Sequence, residues 1–255
     1  MKSLFVRNRS ELIKRNRDHQ VERFTEDLIK ELPEPLQKYL RVCGYIGTPV
    51  PLNAHVHWSE SWLKISPDRD WGKLQTIQFN SVKPIGRVAY MKFLAMPVAA
   101  RDLYRDGYGE MKVKLLNLIT VACDHSREVA QSALITTFLE FPFVPGYLLL
   151  KNVQWEQLDN HSVRGTLTDC GIEVSGLFHF DEEGLFTSFK TSDRYFTTGK
   201  NSYKKVNFSA AVESYKIQDR LKICEKVKVM WHLPEGNFEY YKGTVDRIEF
   251  NQLDA

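Results

Sequence analysis

The chain has 255 residues, of which 43% are apolar and 12% aromatic, and its 35 basic and 32 acidic residues give a net charge of +3. These values exclude a disordered chain, which would combine low hydrophobicity with high charge. They also exclude a small disulfide scaffold, which would need a denser set of cysteines than the four present. What remains is a globular protein that can bury a core of its own.

The excess positive charge lies at the N-terminus. Residues 1–41 contain ten basic and seven acidic residues, whereas residues 42–255 contain 25 of each. Nucleic-acid binding needs clustered cations, so the neutral body predicts no nucleic-acid partner. We interpret residues 1–17 as a basic N-terminal arm that precedes the fold. Contact with an anionic membrane surface is one role for such an arm, and a solvated lead-in to the first helix is the plainer one.

The four cysteines are far apart in sequence and form no CxxC pair, which argues against zinc-ribbon and thioredoxin spacings. Their apolar neighbours predict buried thiols in Cys43, Cys123, Cys170 and Cys224. No apolar run reaches the ~18 residues that span a bilayer. A cytoplasmic location is the default expectation, and an envelope location is expected if a membrane anchor has been trimmed from the chain.

Two regions have helical patterns. A helical hairpin is predicted over residues 18–44, because apolar residues recur at helical spacing up to Pro33 and a second helix can begin at Pro35 and end at Gly44. A central helix is predicted over residues 126–140. Ser126 is its candidate cap, and the following Pro142 prevents its continuation.

From residue 50 to residue 252 the remaining segments read as short strands separated by turn residues. One of these, residues 110–122, reads as a single strand that ends buried on both faces. A succession of hairpins predicts an antiparallel sheet, and ten or more strands must curl to protect their edges. The predicted fold is α+β and mainly β: a strongly curved antiparallel sheet, or half-barrel, that wraps the central helix within one domain over residues 18–252.

Several segments resemble an uncharacterised bacterial family of unknown function. The most specific is Leu32–Leu40, which reads LPEPLQKYL, fits the pattern LPEPxQxYL and is followed by Gly44 and Gly47–Pro49. The weaker matches are 101–111, 128–131 with Glu140 and Pro142, Trp155, Gly171, Phe180 with Gly184, 193–195 and 233–236. The strand-helix-strand layout also resembles the half-barrel of bacterial lipoprotein-localisation factors. That second resemblance implies a sheet that encloses an apolar cavity, and it implies no activity.

Two features could carry chemistry near neutral pH. His55 and His57 would share one face of a strand and could chelate a metal, but no motif supplies a third ligand, so the sequence predicts no metal site. Glu140 lies among aromatic residues, where a carboxylate with a raised pKa could act as a general acid or gate a cavity. A solvent-exposed or arginine-paired helix end is the plainer interpretation of Glu140.

Two similar clusters lie on predicted strands, one in residues 101–104 and the other in residues 193–195. Neighbouring residues on a strand point to opposite faces, so each Asp–Arg pair needs partners elsewhere, and a pairing between the two clusters is one solution. Each cluster predicts either a buried ion pair or an anchor for a ligand headgroup. The candidate ligand-binding residues are Arg101, Asp102, Tyr104, Glu140, Trp155, Asp193, Arg194 and Tyr195.

The sequence contains no nucleophile elbow, phosphate loop or dinucleotide fingerprint, so we predict no catalytic residue and no cofactor. The leading hypothesis is a non-enzymatic binding module for an apolar or amphipathic, lipid-like molecule in the concave face of the sheet. One alternative is a hydrolase or isomerase that uses Glu140 and the Asp/Arg clusters. The other is a membrane-surface adaptor or structural protein that acts through the basic arm.

Overall fold

The structure, a computed structural model, describes residues 1–17, 19–199 and 201–253. The α-helices are α1 (Lys2–Asn16), α2 (Glu26–Ile29), α3 (Glu34–Val42) and α4 (Arg127–Leu139), and a short 3₁₀ helix spans Pro145–Leu149. Within the described residues, no helix is both long enough and apolar enough to cross a membrane.

Strands make up most of the remaining chain. In chain order they are β1 (Asn53–Leu63), β2 (Gly72–Ser81), β3 (Gly86–Phe93), β4 (Val98–Arg105), β5 (Tyr108–Leu115), β6 (Ile119–Asp124), β7 (Val153–Gln157), β8 (Ser162–Asp169), β9 (Ile172–Phe180), β10 (Phe186–Thr191), β11 (Tyr195–Gly199), β12 (Ser202–Lys205), β13 (Phe208–Gln218), β14 (Leu221–Leu233) and β15 (Gly236–Phe250).

Thirteen strands form one antiparallel sheet in the order β6-β5-β4-β3-β2-β1-β15-β14-β13-β10-β9-β8-β7, and β11 pairs with β12 in a separate hairpin. Consecutive hairpins therefore build two meanders, and the pairing of β1 with β15 joins them. The edge strands β6 and β7 are not paired with each other, so the sheet is an open half-barrel. The predicted fold class is confirmed.

Bulges bend this sheet around α4. Register shifts occur between β1 and β15 next to Trp58, between β13 and β14 next to Ser214, and between β14 and β15 at Val229, and each leaves an extra residue on one or both strands. Such bulges kink a strand and increase its twist. Helix α4 packs on the concave side as predicted. Ser126 caps it by accepting a hydrogen bond from the Val129 amide at 3.2 Å, which stabilises a helix end by about 1 kcal/mol.

The N-terminal segment differs from the expected solvated arm. It forms α1, which lies on the convex side of the sheet and buries Phe5, Leu12 and Ile13 against a cluster that includes Val88 on β3. The helix forms because its buried positions recur at helical spacing, and because Lys14 and Arg15 place positive charge at its C-terminal end.

The predicted hairpin over 18–44 is present only in part. Asp18, its expected first residue, lies outside the described residues. Helix α2 begins late, at Glu26, where the Thr25 hydroxyl accepts a hydrogen bond from the Leu28 amide. Phe24 is instead extended, since its amide donates to the Thr48 carbonyl at 2.9 Å. Helix α3 agrees closely with the predicted second helix.

The predicted single strand over 110–122 is wrong. Leu116 and Asn117 both have positive φ, of 53° and 58°, and are the first two of the three turn residues, 116–118, that connect β5 to β6. Two consecutive residues with positive φ fit the tight turns that match the twist of a hairpin. The edge strand β6 is consequently exposed rather than buried on both faces.

The expectation of four buried thiols is half correct. Cys43 and Cys224 are fully buried in the core, whereas Cys123 and Cys170 are exposed. Cys123 lies on the edge strand β6, and Cys170 lies in the turn between β8 and β9, so neither has a second layer of structure to cover it.

Candidate ligand-binding site

A cavity of about 670 Å³ lies between α4 and the concave face of the sheet. One wall comes from α4, through residues such as Val129 and Ala133. The opposite walls come from both meanders, and their lining side chains are mainly apolar, as in Leu74, Ala89, Met91, Val113, Phe186 and Val229. This volume is within the range of roughly 300–1,000 Å³ typical of small-molecule sites.

A buried ion network lies on the floor of the cavity. Arg87 donates from Nε to both carboxylate oxygens of Glu140, at 3.0 and 2.8 Å, and from Nη1 to Asp102 Oδ2 at 2.6 Å. These three side chains are only 7–14% exposed. Arg87 comes from β3, Asp102 from the neighbouring β4, and Glu140 from the end of α4, so the network fastens the helix to the sheet.

Both carboxylates of this network are engaged. Asn80 also donates to Glu140 Oε2 at 2.8 Å, and Gln78 donates to Asn80 Oδ1 at 2.8 Å. Burial raises the pKa of Glu140, and the charge of Arg87 opposes that rise. Burial alone would lower the pKa of Arg87, but the charges of Glu140 and Asp102 raise it, so the guanidinium stays cationic.

Arg194 is a second cation in the cavity wall, and its environment is different. Its guanidinium carbon lies 4.1 Å from the centre of the Phe208 ring and 5.2 Å from that of Trp231. Its Nε is buried and has no hydrogen-bond partner. Among the ion pairs formed by the described residues, none includes Arg194. The cation is therefore held by aromatic faces, and its Nε–H has no acceptor.

Tyr240 and Tyr241 both line the cavity although they are neighbours on β15. This is possible because Tyr240 is the extra residue of the bulge: Val229 pairs with Tyr241 and Met230 pairs with Glu239. Burial raises the pKa of Tyr240, with Arg194 opposing the rise, so its hydroxyl keeps its proton beside that guanidinium. Two donors thus converge on one part of the wall.

The structure divides the sequence-predicted ligand-binding residues into two groups. Asp102, Glu140, Arg194 and Tyr195 line the cavity. The other four lie outside it: Arg101, Tyr104, Trp155 and Asp193. Arg101 and Asp102 point to opposite faces of β4 as expected, because Arg101 turns to the convex side and donates to Asn8 Oδ1 of α1 at 2.5 Å.

Each residue outside the cavity has a structural role. Tyr104 donates to Asp169 Oδ2 at 2.6 Å, and Trp155 donates to the Leu148 carbonyl at 3.2 Å. Asp193 accepts a hydrogen bond from the Ser175 amide at 2.9 Å. The expected pairing between the two clusters does not occur, because Asp102 pairs with Arg87 on the adjacent strand.

Sequence reasoning missed the residues that complete the site, notably Arg87, Asn80, Trp231 and Tyr240. Arg87 could have been noticed, since it occupies the same strand face as apolar Ala89 and Met91, and a charge on a buried face usually has a partner. Most of the aromatics near 138–150 fill the core instead. Phe138 and Phe141 pack against Phe178 at ring-centre distances of 5.2 and 5.4 Å.

A second polar cluster lies on the convex side of the sheet. His55 and His57 share this face of β1, with ring centres 4.1 Å apart, and Glu249 is the cross-strand partner of His55 on β15. Burial, together with the charges of His57 and Arg9, lowers the pKa of His55 to about 4. Glu249 is the third polar group that the sequence did not indicate.

The fold and the cavity define an open half-barrel whose curved sheet and central helix enclose an apolar chamber. The model of DUF6544, a family of unknown function, matches residues 22–243, and the chain belongs to this family. The predicted membership of a family of unknown function is thus confirmed. No curated protein matches the chain.

Two solved structures are similar in general layout. One is a LolA superfamily protein from Nitrosomonas europaea, with 8% identity and a TM-score of 0.46 over 86% of this chain and 93% of that one. The other is a DUF1329 family protein from Desulfovibrio piger, with 10% identity and a TM-score of 0.45 over 85% of this chain and 91% of that one.

Proposed function

We propose that this protein is a binding module for an amphipathic, lipid-like molecule, whose apolar chain occupies the cavity and whose acidic headgroup contacts Arg194. The observation that carries the proposal is a cavity of about 670 Å³, mainly apolar in its lining, that also contains a cation without a carboxylate partner. An apolar site with a few convergent polar groups is the usual form of a small-molecule site.

The position of the headgroup follows from the charges in the lining. Arg87 is already bound to two carboxylates, which saturates its charge. Lys64, the third cation in the lining, lies on the loop after β1, where its ammonium group is 5.3 Å from the centre of the Trp71 ring, and Trp71 does not line the cavity. Arg194 instead lies against Phe208 and Trp231 with a buried, unpartnered Nε. A carboxylate or phosphate oxygen at this point would gain charge-assisted hydrogen bonds in a partly dehydrated environment.

The chemistry of the site favours binding over catalysis. Both oxygens of Glu140 accept hydrogen bonds from Arg87, and Asn80 donates to one of them as well. A general acid or base needs a free, correctly placed oxygen next to its substrate. The hydrolase or isomerase alternative therefore stays a prediction without a supporting contact. The membrane-surface adaptor also stays a prediction.

A displacement experiment tests the proposal. The purified protein is titrated with fluorescent parinaric acid, and palmitic acid and hexadecanol are used as competitors. We expect saturable binding of the probe and displacement by palmitic acid. Ala100→Phe, which adds a ring inside the cavity, should weaken probe binding at least tenfold, whereas the control Ala122→Phe, on exposed β6, should not. Equal probe affinity in these two folded variants would refute cavity binding.

A further inference from the structure

The cluster on the convex face consists of three potential metal ligands on two paired strands. One donor atom from each of His55, His57 and Glu249 lies within 4.8 Å of the others. The side chains are 13%, 23% and 36% exposed, so the cluster lies just below the surface and Glu249 is its most exposed member. The sheet separates this cluster from the cavity, which lies on the concave side.

The distances resemble those of a tetrahedral metal site. Glu249 Oε2 lies 3.7 Å from His55 Nδ1 and 3.1 Å from His57 Nε2. Zn²⁺ binds nitrogen and oxygen at about 2.0–2.2 Å, so two ligands of one tetrahedral ion lie about 3.4 Å apart. Small rotations of the side chains would therefore bring all three groups to a shared ion.

One ring nitrogen of each histidine, Nε2, makes no hydrogen bond. His57 Nε2 is buried and makes no hydrogen bond of acceptable geometry, and the Nε2 atom of His55 is likewise buried and unpartnered. Buried polar nitrogens without a partner are costly, and each calls for an explanation. A cation held by Glu249 would supply the missing partner of His57 Nε2, and His55 would contribute Nδ1, which lies 3.7 Å from Glu249 Oε2.

Glu249 is held in the orientation that a metal ligand needs. Arg247 donates from Nε to Glu249 Oε1 at 3.0 Å, which leaves Oε2 facing the histidines. Metal-ligating carboxylates are commonly fixed by such outer contacts. Arg247 and Arg9 also bring positive charge near the cluster, so we expect binding weaker than at a closed structural zinc site.

We infer that His55, His57 and Glu249 form a Zn²⁺ site with at least one coordination position open to solvent. Two imidazoles and one carboxylate are a ligand set that Zn²⁺ accepts, whereas Mg²⁺ and Ca²⁺ prefer oxygen ligands throughout. Because His57 and His55 belong to β1 and Glu249 belongs to β15, the ion would also join the two strands at which the meanders meet.

Isothermal titration with ZnCl₂ tests the inference on the full chain after removal of metals with a chelator. We expect one saturable site per chain and no binding of MgCl₂. Loss of an outer-shell contact costs about 10–100-fold in metal affinity, so loss of a ligand in His55→Gln, His57→Gln or Glu249→Gln should weaken Zn²⁺ binding at least tenfold. His161→Gln, at an exposed histidine elsewhere, serves as the matched control and should bind as the unaltered chain does.

A spectroscopic readout keeps the inference testable if a variant misfolds. In the unaltered chain, Zn²⁺ should shift the imidazole NMR resonances of His55 and His57 before those of other histidines. The inference is overturned if Zn²⁺ does not saturate, if it shifts other histidines first, or if a folded Glu249→Gln variant retains full affinity.

Discussion

Arg87 and Glu140 form an ion pair in which the single Nε–H of Arg87 is shared between the two carboxylate oxygens, at 3.0 and 2.8 Å, and both side chains are more than nine-tenths buried. Removing one partner of a buried pair leaves an uncompensated charge, at a cost of about 3–5 kcal/mol. Arg87→Met should incur this cost, since it strands two carboxylates. Glu140→Gln should cost less, about 1–3 kcal/mol, because Asp102 still compensates Arg87.

Urea unfolding at neutral pH measures both values. The control is Arg164→Met, which breaks the exposed pair with Glu156, where the side chains are 45% and 60% exposed. Exposed pairs contribute about 0–1 kcal/mol. If Arg87→Met and Arg164→Met lowered the free energy of unfolding equally, the network would have no special structural role.

The proposed headgroup contact predicts a selective loss of affinity in Arg194→Gln. Hydrogen bonds to charged groups contribute about 1.5–3 kcal/mol, so the affinity for palmitic acid should fall about tenfold to a hundredfold. The affinity for hexadecanol should change little, because the alcohol carries no charge. Competition against parinaric acid must use a subsaturating probe for each variant. An equal loss for acid and alcohol would assign Arg194 a packing role instead.

Helix α1 should contribute directly to stability. Leu12 is completely buried between α1 and the sheet, so Leu12→Ala should lower the free energy of unfolding by about 2–5 kcal/mol. Val6, on the same helix, is 43% exposed, and Val6→Ala should change stability by less than about 0.5 kcal/mol. Chemical unfolding of both variants measures these changes. If neither substitution changed the free energy of unfolding, residues 1–17 would be a solvated arm and not a packed helix.

The four thiols should separate into two classes in the folded protein. Cys123 and Cys170 are exposed and should react with a bulky disulfide reagent at mildly alkaline pH. Burial raises the pKa of Cys43 to about 12 and also raises that of Cys224, so both should react only after unfolding. The absorbance of the thiol that the reagent releases gives the number of reactive cysteines. The double variant Cys123→Ser/Cys170→Ser should show no reaction while folded.

The sequence predicted the strands and α4 better than it predicted α1. Hairpins are local, and their turn residues and alternation are visible in short windows. The buried face of α1 includes Asn8 and Asn16 among its apolar residues, which weakens the apolar pattern that identifies a helix face. Those amides are satisfied only by distant groups: Asn16 donates to Ser81 Oγ at 3.0 Å.

The candidate site was less predictable, since its residues meet only in the folded sheet. The concave face collects Asp102 and Glu140 around Arg87, and no local pattern signals that convergence. Arg194, which lies just before β11, and Trp231 on β14 are likewise far apart in sequence and meet only in the folded protein. For the histidine pair, the sequence alone shows that His55 and His57 share a strand face. It does not show their partner Glu249, which depends on the register between β1 and β15.

That register also has a consequence for how the chain folds. Nearly every strand pair joins neighbours in sequence, so each meander can form through short loops. The pairing of β1 with β15 joins strands near opposite ends of the chain, and closing so long a loop is entropically unfavourable until other contacts offset it. We therefore expect the two meanders to form early and independently of each other, and β1 to pair with β15 late. The cavity would be complete only after that pairing.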